Sequence, residues 1–145
     1  LKAIPKLQFD NNVAILKFFP GISENAVKAI LGTPGIKALV LETFGAGNTT
    51  TAQWFIKAIR QAVEKRMYIL NVSQCSAGSV EMGRYETSVP LLEAGVLSGY
   101  DITVEAAITK FMFLLAQDLS KDEVIFNMQN SIAGEVTITN FQQLD

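Results

Sequence analysis

Three short apolar runs, VAILKFF, IKALVLETF and MYILNVSQ, alternate with stretches whose apolar residues recur at helical spacing. That alternation restricts the chain to few folds. A strand that is apolar at nearly every position must be buried on both faces. Buried strands joined by helices of about 10 to 15 residues read as βαβ units, with a parallel sheet and helices on either side.

The first run, within residues 11–21, ends at Pro20 and Gly21; Ser23 then caps a helix carrying Ala26, Val27, Ile30 and Leu31, which stops near Gly32 and Pro34. After the second run, over residues 36–44, Phe55, Ala58, Ile59, Ala62 and Val63 form an apolar stripe from about Thr51, with Lys57, Arg60, Gln61 and Glu64 between them. The third run, over residues 67–74, leads into a polar loop, and the remainder is read as mainly helical. Pro90 and Gly95 bound a short helix over residues 89–94. Asp101 or Thr103 caps a longer one that turns Val104, Ala107, Ile108, Phe111, Leu114 and Leu115 to the core. SKDE, residues 120–123, has the form of a capping box for a last helix with Val124 and Met128 inward. The expected fold is therefore α/β and three-layered, a small, mostly parallel sheet flanked by helices on both faces, flavodoxin-like or Rossmann-like.

Composition narrows the functional classes. With 145 residues, 49% of them apolar, one domain with a substantial core is expected. The formal charge of −2 lacks the basic footprint of a nucleic-acid binder, and no apolar run reaches the roughly 18 residues of a membrane span. Neither partner is expected. The chain has no histidine and one cysteine, which argues against a zinc site, a serine–histidine triad or an internal disulfide. No metal and no cofactor are expected, and a soluble, cytoplasmic protein is. The first residue is Leu1, which suggests processing or a piece of a longer chain.

In an open α/β sheet ligands sit beyond the carboxyl ends of the strands. Three loops leave there, over residues 19–23, 43–51 and 73–85. Gly45 and Gly47 allow a tight turn in the second, whose Asn48, Thr49, Thr50 and Thr51 can cap the next helix or hold a small polar ligand. GAGNTT lacks the third glycine of a dinucleotide fingerprint. Cys75 reads as an inert buried thiol, with only Arg84 nearby in sequence to activate it. Glu81 and Glu86 read as solvated loop charges, and Lys110 as a helix-face lysine.

The segments GIKALVLETFGAGNTT and ILNVSQCSAGSVEMGRYETSVPLLEAGVLSGYDITVEAAITKFMFLL resemble, in order and spacing, the C-terminal domain of bacterial type I, cytoplasmic L-asparaginases. In that family DITVEAAITKF commonly reads D-M-T-x-E-A-x-x-T-K-L. LKFFPGIS resembles the domain's opening strand, so residues 1–10 read as the end of an interdomain linker and 11–145 as the C-terminal domain.

The resemblance implies a two-domain amidohydrolase that converts L-asparagine and water to L-aspartate and ammonia. Its nucleophile and base would lie in an N-terminal domain absent from this sequence, so no residue here is expected to be catalytic and the chain alone is expected to be inactive. Implied partners are that N-terminal domain and further subunits of a homodimer or homotetramer. Asn48, Thr50 and Tyr85 are implied to reach substrate across the subunit interface. An effector pocket for asparagine is implied at Glu42, Thr43, Phe44, Gly45, Ser73, Gln74 and Cys75, although such enzymes carry arginine where Glu42 stands, and glutamate would repel the ligand carboxylate. An interface contact is the other expectation for Glu42. Two readings of other classes stay open: a free-standing flavodoxin-like module holding a small phosphate-bearing ligand at Gly45, Gly47 and the threonines, and an assembly domain.

Overall fold

A computed structural model describes residues 7–45, 47–75, 78–80 and 88–137. The sheet contains β1 (Val13–Lys17), β2 (Ala38–Thr43), β3 (Tyr68–Ser73) and β4 (Leu97–Ser98), all parallel and in the order β1-β2-β3-β4. Between them run α1 (Glu24–Leu31), α2 (Gln53–Glu64) and α3 (Val89–Glu93); α4 (Val104–Leu115) and α5 (Lys121–Gln129) follow. The expected three-layer α/β architecture is present.

The consecutive strand order explains the layering. Each right-handed crossover advances the sheet in the same direction and so drops its helix on the same face. Val27 of α1, Phe55 and Ile59 of α2, and Leu91 of α3 accordingly share one core with Leu16, Leu39, Leu41 and Ile69. Ala38, Val40, Leu70 and Val72, alternating with those residues, point the other way. Ala107, Phe111 and Leu114 of α4, with Val124 and Met128 of α5, cover them. This order contains no reversal, so the described strands form no switch-point crevice, and any site at their carboxyl ends must be built by loops.

Local signals match most boundaries. Ser23 and Thr103 accept hydrogen bonds from the amides of Ala26 and Ala106 as N-caps, and Ser120 with Glu123 forms the capping box. Gly95 ends α3 at φ +93°, a conformation that suits glycine. Asp101 is not a cap; its carboxylate accepts from the amide of Thr137 at 2.8 Å. Ala26 is exposed, leaving Val27 as the one buried residue of α1. β4 interrupts the part read as mainly helical: its two residues pair with Leu70 and Asn71.

Lys110 also departs from expectation. Its side chain is 5% exposed, and its ammonium pairs with Glu135 at 2.5 Å and donates to the carbonyl of Asn130 at 2.6 Å. The Glu135 carboxylate further accepts from the amides of Ile132 at 2.8 Å and Ala133 at 2.7 Å. This pair, its lysine buried and its glutamate partly so, fastens the segment after α5 to α4. Burial alone would raise the Glu135 pKa, but Lys110 and the two amides outweigh it and bring it down from 4.5 to about 2.

Removing Lys110 leaves the partly buried Glu135 carboxylate with its main-chain donors but without its cation, so Lys110→Met is expected to cost about 1–2 kcal/mol in denaturant unfolding. The fold favours ionised Glu135, so its contribution is full above the ordinary value of 4.5 and is lost as pH falls from there toward about 2. Melting temperature is expected to drop between pH 5 and pH 3, and to drop less steeply in Lys110→Met. Equal slopes would show that the Lys110–Glu135 pair does not carry this dependence.

Candidate functional site

On the face that packs α1 to α3, apolar residues give way to polar ones toward the carboxyl ends of the central strands. Leu41 is followed two positions later by Thr43, and Ile69 by Asn71 and Ser73. Thr43 and Asn71 are completely buried. A buried carboxamide costs free energy unless both its ends are bonded. Here they are: Thr43 Oγ1 donates to Asn71 Oδ1 at 2.5 Å, and Asn71 Nδ2 donates to the carbonyl of Gly47 at 3.1 Å. The main-chain carbonyl of Asn71 receives the amide of Gly99 at 2.8 Å, which brings the loop after β4 to the same point.

The loop after β2 folds down onto this carboxamide. The amides of Gly47 and Asn48 both donate to the carbonyl of Phe44, and the Phe44 amide donates to the carbonyl of Asn48 at 3.0 Å, closing a tight turn. Gly47 sits at φ +104°, and a Cβ there would lie 2.9 Å from both Asn71 Nδ2 and Val80 Cγ1. Glycine is required twice over, for the backbone angle and for the contact. Asn48 and Thr50 are half-buried beyond this turn. Thr50 Oγ1 accepts the amide of Ala52, the residue at the N-cap of α2, whereas no threonine side chain caps that helix.

The next strand end joins the neighbouring loops. Ser73 Oγ donates to the carbonyl of Gly45 at 2.7 Å and accepts the amide of Cys75. Gln74 Nε2 donates to the carbonyls of Phe18 at 2.6 Å and Glu42 at 3.1 Å, bridging the ends of β1 and β2. The structure thus brings Thr43, Gly45, Asn48, Ser73 and Gln74 together, with the donors of Thr43, Ser73 and Gln74 spent on positioning their neighbours. Glu42 is half-buried, Phe44 and Gly45 are exposed, and Cys75 is exposed where a buried thiol was expected. Tyr85, Glu81 and Glu86 lie outside the described residues. Phe18 stands edge-on to both Phe44 and Phe55, and Phe19 beside it is 53% exposed, so an aromatic step borders the turn.

Among the described residues no group of acidic, cysteine or histidine side chains is arranged to hold a metal ion, and no helix is long and apolar enough to cross a membrane. Sequence reasoning missed Asn71. Its signal was a single carboxamide inside the otherwise apolar YILNVS strand.

Residues 12–126 match the glutaminase/asparaginase C-terminal domain family. Over 125 residues the chain is 36% identical to L-asparaginase 1 of Escherichia coli, covering 86% of this chain and 37% of that protein. It is 36% identical over 129 residues to the human 60 kDa lysophospholipase, covering 88% and 22%. Its fold is similar to that of L-asparaginase I from Vibrio cholerae, with a TM-score of 0.83 and 39% identity over 89% of this chain and 39% of that one. The L-asparaginase of Thermococcus kodakarensis follows at a TM-score of 0.82 and 29% identity, covering 91% and 40%. The chain spans well under half the length of each of these proteins. The parallel sheet, its polar carboxyl-end turn and the match across residues 12–126 agree: the chain belongs to the glutaminase/asparaginase C-terminal domain family.

Proposed function

We propose that the chain serves as the C-terminal domain of an amidohydrolase that converts L-asparagine and water to L-aspartate and ammonia, with the nucleophile supplied by a separate N-terminal domain. The observation that carries this reading is how three of the described hydroxyls at the strand ends are committed. Thr43 Oγ1 donates to a carboxamide, Ser73 Oγ and Thr49 Oγ1 to main-chain carbonyls. A nucleophilic hydroxyl must give its proton to a base, and these acceptors are not bases. Identity of 36% to 39% with asparaginases supports the substrate class. A relative named as a lysophospholipase supports placing the choice of reaction outside this domain.

In this reading the turn after β2 closes the active site of a neighbouring subunit, with Asn48, Thr50 and Tyr85 orienting substrate and the Phe19 and Phe44 step lying in the subunit contact of a cytoplasmic homodimer or homotetramer. The rim of Glu42, Thr43, Phe44, Gly45, Ser73, Gln74 and Cys75 is the place for an effector. Its principal donors are already spent, and Glu42 disfavours a carboxylate ligand.

Ammonia release from L-asparagine is expected from the longer protein carrying this domain and not from the 145 residues alone. In the longer protein Asn48→Ala is expected to raise KM by about tenfold, as for loss of one substrate hydrogen bond, with kcat changed less. Release of ammonia by the 145-residue chain would overturn the reading.

A further inference from the structure

Asn71 lies below the turn and is completely buried, with its carboxamide reaching up to the turn's backbone. Its importance comes from what it holds. One end of the carboxamide is fixed by the Thr43 hydroxyl, so the other end presents Nδ2 in a single direction. That nitrogen carries the carbonyl of Gly47, the residue before Asn48. The contact is tight enough to exclude any side chain at position 47, which leaves the turn no nearby alternative seat. The carbonyl of Asn71 also receives Gly99, whose own Cβ position would lie 2.8 Å from that oxygen. One residue therefore sets the height of two loops above the sheet.

We propose that Asn71 is the positioning residue of the site: it locks the Gly47 peptide so that Asn48 is presented to substrate in one conformation. The inference rests on the proposed role of the turn, and it concerns orientation only. No bond to substrate is made by Asn71 itself. The chemistry is that of preorganisation, in which a side chain held by buried hydrogen bonds reaches its ligand without losing freedom on binding. Aspartate at position 71 keeps the acceptor for Thr43 but puts an oxygen where Nδ2 was, opposite the Gly47 carbonyl. Valine at position 43 removes only the Thr43 donor and preserves shape, so it is the gentler disturbance.

The test uses the longer enzyme with Asn71→Asp, Thr43→Val and Asn48→Ala, singly and as the Asn71→Asp/Asn48→Ala double variant, with L-asparagine as substrate. Asn71→Asp is expected to raise KM about tenfold with kcat within about threefold, the size set by loss of one buried hydrogen bond, and Thr43→Val to follow in the same direction. The double variant is expected to be no worse than the poorer single one, since both disturb the same contact. Amide hydrogen exchange at Gly47 and Asn48 is expected to accelerate in Asn71→Asp. If Asn48→Ala leaves KM unchanged, the role proposed for the turn fails, and exchange alone decides: acceleration at these two amides supports the positioning role. Additive losses in the double variant, or unchanged exchange in the folded Asn71→Asp protein, would overturn it.

Discussion

A parallel sheet whose strands are apolar on both faces has to be covered twice, and here different parts of the chain cover the two faces. With the strands in consecutive order, all three crossover helices occupy one face, and the second face is left to whatever follows β4. The packing of α4 and α5 over Val40, Leu70 and Val72 is thus a condition for the sheet to exist in water. The Lys110–Glu135 pair belongs to that condition, because it fixes the chain after α5 against α4 with directional bonds where apolar contact alone would allow sliding.

The same sheet changes character along its length. Its middle is aliphatic, while at the carboxyl ends Thr43, Asn71 and Ser73 replace aliphatic side chains on the α1 to α3 face. Each polar group there is bonded to a neighbouring strand or loop. The apolar layer gives these bonds a low-dielectric floor, which strengthens them and makes an unpaired partner costly. Rigidity of the loops is therefore borrowed from the core beneath them.

The core of the fold was readable in the sequence because strand and helix periodicities are local. Val27, Phe55, Ile59, Phe111 and Met128 fall inward as their spacing requires, and the Ser120–Glu123 capping box is a four-residue signal. β4 was not readable, since two residues cannot display an alternation. Lys110 reads as a surface residue because its acidic partner is 25 positions away and no helical spacing links them. Of the site, the turn glycines and Asn48 were visible as a loop, and the resemblance to asparaginases, not periodicity, gave them a purpose. Asn71 escaped because burial reverses the meaning of a polar residue: within an apolar strand it marks a contact across the sheet, and nothing local names the other partner. The exposure of Cys75 is likewise decided by where the loop turns.

Consecutive strand order also shapes how the molecule assembles in time. β1, β2 and β3 each pair with their neighbours in the chain, separated by one helix, so these contacts close loops of modest length. α4 is different, because it must come back from beyond β4 to pack against β1 and β2. That return joins segments far apart in the sequence, and the amide of Asp10 donates to the carbonyl of Met112 across it. Until it is complete, one apolar face of the sheet stays open to water, and the chain stays exposed to aggregation through that face.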